Sequence, residues 1–294
     1  MKNITYIPSL LVSNVFDPCI KTPEDSIELY RRLKTQGHYT SIETRLVEGE
    51  EFIQAFLDLK PDWRITYWTT GQLGRAGLNL SDLCEENRIK AVEKVKEMIT
   101  TSTKTHGEFI GLASGKMVDG KRADGLCQFE KSLKELLLYI QEQGYPTKLL
   151  VEPLDAFAHK KNVLGDTKTT LEFLSRFDKS VFQDQKLSIS WDSAHVALNK
   201  DDFKESIQAL APYISRVHFA NAILDETNPR FGDWHIDLCE EGFLNQQVAR
   251  DILEALDEVS SGEILVTMEI RESDKEKVWA LEDKCYHFLQ DVIQ

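Results

Sequence analysis

Four stretches in the second half of the chain each run through apolar residues and then reach an acid or an imidazole. They read Leu149-Leu150-Val151-Glu152, Leu187-Ser188-Ile189-Ser190-Trp191-Asp192, Arg216-Val217-His218 and Leu265-Val266-Thr267-Met268-Glu269. Burying a charge without a partner is costly, so a carboxylate closing an apolar strand calls for a cation or a reaction. Any one of these residues alone reads as an ordinary hydrogen-bonded or salt-bridged group. Together, Glu152, Asp192, His218 and Glu269 point to one shared metal site. Carboxylate oxygens plus one imidazole nitrogen suit octahedral Mn²⁺, Mg²⁺, Co²⁺ or Fe²⁺, with Zn²⁺ also compatible. Such a shell leaves room for adjacent oxygens of a bidentate substrate such as a hydroxy-ketone.

Further candidates surround that set. His195 follows Asp192 at Asp-x-x-His spacing, and Asp233-Trp234-His235 stands in the loop after the third stretch. His195, Asp233 and His235 have two readings: a second metal position bridged by Asp192, or groups that bind substrate hydroxyls and orient the first ligands. Arg230, Trp234, Trp68 and Asp155 complete the candidates for substrate contact, Trp234 being the best aromatic one and Trp191 reading as core. Glu43 ends a β-type segment, where lining the cup and pairing with Arg45 or Lys34 are both open.

The elements that must position these residues alternate along the whole chain. Strand patterns fall at 4–12, 39–46, 64–69, 109–113, 149–154, 187–191, 215–220 and 264–270, with amphipathic helical patterns between them. Thr22-Pro23-Glu24-Asp25 supplies a cap and a first-turn proline. Asp82-Leu83-Cys84-Glu85 has capping-box spacing before a helix that buries Val92, Val95 and Ile99. Leu133, Leu136, Leu137 and Ile140 form a stripe closed by Gly144, and Ser273-Asp274-Lys275-Glu276 predicts the cap of a final helix. Eight strand–helix units over 294 residues predict one (β/α)8 TIM-barrel domain spanning 1–294. The rival, an open doubly wound sheet, expects a glycine-rich phosphate loop after the first strand, and none stands there. The glycine-containing stretch 114–120 reads as a flexible rim loop.

Apolar residues make up 41%, ample for a core, and the formal net charge is −14. A surface so acidic repels polyanions, which argues against DNA, RNA or anionic membranes as partners. Five scattered cysteines with no Cys-x-x-Cys read as reduced thiols, and the opening Met1-Lys2-Asn3-Ile4 has no leader pattern, so a cytoplasmic location is expected. Homo-oligomerisation is compatible with the chain, without a legible contact face.

The strand-end phrases resemble the xylose isomerase-like TIM-barrel superfamily, which holds sugar isomerases and epimerases alongside endonuclease IV. The resemblance runs through Glu152-Pro153-Leu154, Trp191-Asp192-Ser193-Ala194-His195, Val217-His218-Phe219, Gly232-Asp233-Trp234-His235-Ile236-Asp237 and Met268-Glu269. The first and fourth of these phrases are most similar to the D-tagatose 3-epimerase branch; residues before the fifth strand match only in general pattern. The resemblance implies that Glu152, Asp192, His218 and Glu269 hold one divalent ion, usually manganese. It also implies that Glu152 and Glu269 act as the acid/base pair and that His195 contacts the substrate. Asp155 stands where such epimerases commonly carry asparagine. Endonuclease IV shares the Asp-x-x-His and Asp-x-His elements but needs further histidines from earlier strands. Here those strands end in Tyr67-Trp68-Thr69-Thr70 and Leu112-Ala113-Ser114. The chemistry implied is proton transfer beside a carbonyl of a ketose or related hydroxy-ketone, through an enediolate. A metal-dependent hydrolase or lyase on the same barrel, with an endonuclease as a minor case, and a non-catalytic ligand-binding barrel are the alternatives. A free sugar is favoured over a sugar phosphate, because no glycine-rich anion cradle follows the last two strands.

Overall fold

The computed structural model describes residues 4–293. Part of the opening stretch read above for a leader, Met1 to Asn3, lies outside the described residues. Eight parallel strands close into a barrel in sequence order. They are β1 (Ile4–Leu11), β2 (Ser41–Thr44), β3 (Arg64–Trp68), β4 (Phe109–Ala113), β5 (Lys148–Glu152), β6 (Leu187–Asp192), β7 (Ile214–Ala220) and β8 (Gly262–Glu269). A helix lies between each strand and the next, the longest being Arg122–Gln143 and Glu85–Thr103. No helix of the described residues is long and apolar enough to cross a membrane.

Period-two alternation explains both the core and the site. Along a strand, residues two apart share a face. On β5, Leu149 and Val151 join the large apolar cluster shared with the surrounding helices, while Leu150 joins a small separate cluster with Leu11, Trp68, Phe109 and Leu265. Glu152 continues the inward-facing set. On β6, Ile189 and Trp191 pack outward, so Ser190 and Asp192 turn inward. The alternation that feeds the helix-facing core therefore also delivers the acids to the bore.

Helix ends follow local chemistry, with two corrections. Thr22 Oγ1 accepts from the Asp25 N–H and Asp25 Oδ2 from the Thr22 N–H, a closed capping box for Pro23–Gln36. The expected box at Asp82 does not form: Asp82 Oδ1 accepts from the Cys84 N–H at 2.8 Å, two residues on, and the helix opens only at Glu85. Asp274 likewise takes the Glu276 N–H at 3.0 Å, and the last helix begins at Val278. In both places the short acid closes a turn with its own neighbours instead of a helix end.

The rim stretch 114–120 is tied down where flexibility was expected. Met117 N–H donates to Lys161 O at 2.8 Å, and Gly115 O accepts from Val163 N–H at 3.0 Å. Gly115 has φ +99, and a Cβ there would meet Asn79 Oδ1 at 1.9 Å, so only glycine fits.

Candidate active site

At the C-terminal end of the barrel, Glu152, Asp192, His218 and Glu269 bring one ligand atom each to within 4.8 Å of all the others. All four are buried. Asp192 and His218 are register partners across β6 and β7, and Glu269 closes β8 opposite Ala220. His218 Nδ1 lies 2.7 Å from Glu152 Oε1, 2.6 Å from Glu269 Oε2 and 3.9 Å from Asp192 Oδ2. These short contacts are not aligned as hydrogen bonds: Glu152 Oε1, Asp192 Oδ2 and His218 Nδ1 have no hydrogen-bond partner.

The outer atoms of the same side chains are held. Asp192 Oδ1 accepts from the His195 N–H at 2.8 Å, capping the short helix Ser193–Leu198. The Asp-x-x-His spacing is therefore an N-cap that also fixes where His195 emerges. Glu269 Oε1 accepts from Asn14 Nδ2 at 3.0 Å and from His235 Nε2 at 2.7 Å. His218 Nε2 donates to Glu43 Oε1 at 3.0 Å, which leaves the Nδ1 lone pair for the cluster. Glu43 also pairs with Arg216 and accepts from Trp68 Nε1 at 2.5 Å. The partners considered in the sequence are taken elsewhere: Arg45 pairs with Asp17, and Lys34 bonds the carbonyls of Leu59 and Lys60.

Electrostatics separate these groups. Burial, reinforced by Glu152 and Glu269 and opposed by His195, pushes Asp192 up to about 8. Burial alone would lower His195, yet Asp192 and Asp233 raise it to about 10. Burial also works against the charge on Glu43, but Arg216 and His218 hold its carboxyl well below the usual range. A buried knot of carboxylates with unsatisfied atoms turned inward has the donor set for a divalent cation.

A cavity of about 300 Å³ opens above the cluster, lined by Glu152, Glu269, His195, Asp233, His235 and Trp68 among others. Asp233 Oδ1 lies 3.0 Å from His235 Nδ1, and its Oδ2 lies 3.1 Å from Lys160 Nζ and 3.8 Å from His195 Nε2. An ammonium thus stands against the carboxylate that a second ion would need. Among the described residues, the four-ligand cluster is the one group with metal-binding geometry.

Three expected substrate contacts lie away from this cavity. Asp155 is buried next to His195, its Oδ2 3.6 Å from His195 Nδ1, and accepts from the backbone N–H groups of His159 and Lys160. Arg230 is exposed and pairs with Glu241. Trp234 is 54% exposed and packs against His159 with the two rings tilted, centroids 4.5 Å apart. Gly232, at φ +113, packs its Cα against the His159 ring and turns the loop so that Asp233 and His235 face in while Trp234 faces out. Asn14, Gln72, Arg75 and Arg271 line the cup without having been singled out from the sequence. Asn14 lies in the short helix Val12–Val15, Gln72 and Arg75 lie in the short helix Thr70–Arg75, and Arg271 follows β8 in a loop; only their place after β1, β3 and β8 hints at the mouth.

No family model matches this sequence, and no curated protein matches it. Solved structures do. A D-tagatose 3-epimerase-like protein superposes with TM-score 0.70 at 18% identity, over 97% of this chain and 98% of that one. The chain shares the closed (β/α)8 barrel fold of that protein. The IolI protein with a zinc atom shares that barrel at TM-score 0.70 and 14% identity, over 98% of each chain. A family 2 AP endonuclease from Brucella melitensis does so at TM-score 0.66 and 12% identity, over 95% of this chain and 98% of its own. One barrel thus carries several chemistries, and the residues at the mouth must decide among them.

Proposed function

We propose that the protein is a divalent-metal-dependent isomerase or epimerase acting on a ketose or related hydroxy-ketone through an enediolate. The observation that carries this reading is the convergence of Glu152 Oε1, Asp192 Oδ2 and His218 Nδ1, buried and without hydrogen-bond partners. Each such atom costs about 1–3 kcal/mol unless something binds it. A divalent ion held by Glu152, Asp192, His218 and Glu269 supplies Lewis acidity towards a substrate carbonyl.

The chain's own groups handle the proton. Glu152 on β5 and Glu269 on β8 both line the cavity, and we assign them as the two carboxylates flanking the reacting carbon. One removes the proton beside the carbonyl and the other returns it. Removal at C3 with return to the opposite face of C3 gives an epimer; removal at C1 with return to C2 gives an aldose. Asn14 and His235 orient Glu269 by hydrogen bonds to its Oε1. His195 lines the cup beside Glu152 and is assigned to a substrate hydroxyl.

Incubation with a panel of ketohexoses and ketopentoses in heavy water, with Mn²⁺ present, tests the reading. Deuterium should enter product at one carbon, and a chelator should stop it. Turnover yielding unlabelled product would sink the enediolate, and no turnover with any sugar or divalent ion would leave a barrel that only binds.

A further inference from the structure

We infer that the substrate carries an anionic group, a carboxylate or a phosphate ester, remote from its hydroxy-ketone, and that Arg75 and Arg271 hold it at the mouth of the cup. This rests on the enediolate reading above and names its substrate class.

The cavity is acidic at its floor and cationic at its mouth, where Arg45, Arg75, Lys160 and Arg271 contribute to its walls. Two of these cations are already engaged: Arg45 pairs with Asp17, and Lys160 lies 3.1 Å from Asp233. The other two have no carboxylate partner among the described residues. The one side-chain bond of Arg271 is a long one, 3.5 Å from Nη2 to Asn14 Oδ1, while its backbone N–H is anchored on His235 O at 2.7 Å. Asn14 in turn holds Glu269, so Arg271 stands one side chain away from the acid/base pair.

Unpaired guanidiniums are unusual in this chain. Forty-nine acids face thirty-five basic residues, and Arg31, Arg64, Arg88, Arg122, Arg176 and Arg230 all find acids. Outside the cup, Arg32 covers the Trp279 ring and Arg250 bonds the Asp291 carbonyl. Arg75 has no such occupation and Arg271 only its long bond to Asn14, and both line the same cavity. The guanidinium fork matches carboxylate and phosphate oxygens alike. A chain of net charge −14 repels anions at long range, so an anionic substrate needs local cations at the entrance to be captured.

Gln72 adds an independent sign of a ligand. It lines the cup, and its buried Oε1 has no hydrogen-bond partner. It stands three positions before Arg75 on the short helix Thr70–Arg75, so the two side chains share a face. An acceptor for a hydroxyl thus stands beside a donor for an anion. The missing glycine-rich cradle argued for an uncharged sugar; side chains supply here what backbone N–H groups do not.

D-Fructose, D-fructuronate and D-fructose 6-phosphate share one carbon frame and differ only at C6. Calorimetric titration of the Mn²⁺-loaded protein with each, alongside deuterium uptake at C3, tests the inference. One or both anions should bind about tenfold tighter than D-fructose. That advantage should shrink as NaCl rises from about 0.05 to about 0.5 M. It should collapse in Arg75→Gln and Arg271→Gln and return in part in Arg75→Lys. Both side chains are exposed, and melting curves will confirm that the variants fold. Comparing the two anions tells carboxylate from phosphate. D-Fructose binding as tightly as either anion, or a preference that survives both substitutions, overturns the inference, while label at C3 leaves the enediolate standing. Arginine-dependent anion binding without label in any ligand overturns the enediolate and keeps the anion subsite. No binding of any of the three overturns both.

Discussion

Strands β5, β6 and β8 end on Glu152, Asp192 and Glu269, whereas β1, β2, β3 and β4 end on Leu11, Thr44, Trp68 and Ala113. The one buried acid of the earlier strands, Glu43, makes the contrast instructive. Glu43 and Glu152 are both deeply buried carboxylates, and burial acts to raise both. Glu43 is enclosed by Arg216, His218 and Trp68, and the first two reverse that push and hold it low. At Glu152 burial prevails over the nearby imidazoles, and Oε1 is left without a hydrogen bond. A buried charge with every atom satisfied holds a fold together; one with an unsatisfied atom facing a cavity is prepared for something to bind.

The sharpest way to break this contrast is Glu152→Gln. Turnover should fall about a thousandfold, within the span of general acid–base catalysis, while the melting temperature holds or rises because a buried charge has gone. Near-normal rates in steady-state assays would put Glu152 in the same structural class as Glu43. Glu43→Ala should do the reverse. It strands the fully buried Arg216 and should cost about 3–5 kcal/mol in urea unfolding, and metal affinity should weaken as His218 loses its Nε2 acceptor. A loss below about 1 kcal/mol would mean that the Glu43–Arg216 pair is not what closes the bore.

Gly111→Ala sharpens the comparison from the β4 side. Its Cβ would fall 2.4 Å from the Trp68 ring, the ring whose Nε1 serves Glu43. Overpacking of this kind should cost about 1–3 kcal/mol by chemical denaturation. Wild-type stability would show that the indole can move away at no expense. Asp166 is the distant control, a satisfied acid with no part in the mouth. It caps the helix Thr167–Leu174 through the Thr169 N–H and pairs with Arg122 at 2.6 Å. Burial raises its pKa, but the Thr169 N–H and Arg122 more than offset that and lower it. A lowered folded value means stability present above the ordinary carboxylate range and lost as pH falls through it. Asp166→Asn should therefore cost about 1 kcal/mol at neutral pH, with the difference from wild type vanishing in acid. A difference independent of pH would assign the whole effect to the cap.

The barrel and the four convergent side chains were legible in the sequence, because both follow from short-range patterns. Period-two alternation marks each strand, and the residue closing the pattern lands at the mouth whatever the rest of the chain does. Partners across the bore were not legible. Glu43 meets Arg216 and His218 from β7, and no local pattern announces contacts so distant along the chain. Nor was the facing of the 230–237 loop. Asp233 and His235 turn in while Arg230 and Trp234 turn out, and that depends on Gly232 packing against His159 of another loop. The Asp82 and Asp274 turns failed for a smaller reason. The same acid can serve the N–H two residues ahead or three, and the spacing of residue types does not distinguish them.

Arg216 has a kinetic consequence as well as a structural one. Its guanidinium spans the barrel interior, donating to Thr66 Oγ1 at 2.8 Å and pairing with Glu43, with Phe109, Leu150 and Leu265 packed in the same bore. The tube is thus stoppered at mid-height, leaving a single doorway. Whatever enters to react must back out the way it came, so product and incoming reactant exclude one another, and each should inhibit competitively against the other.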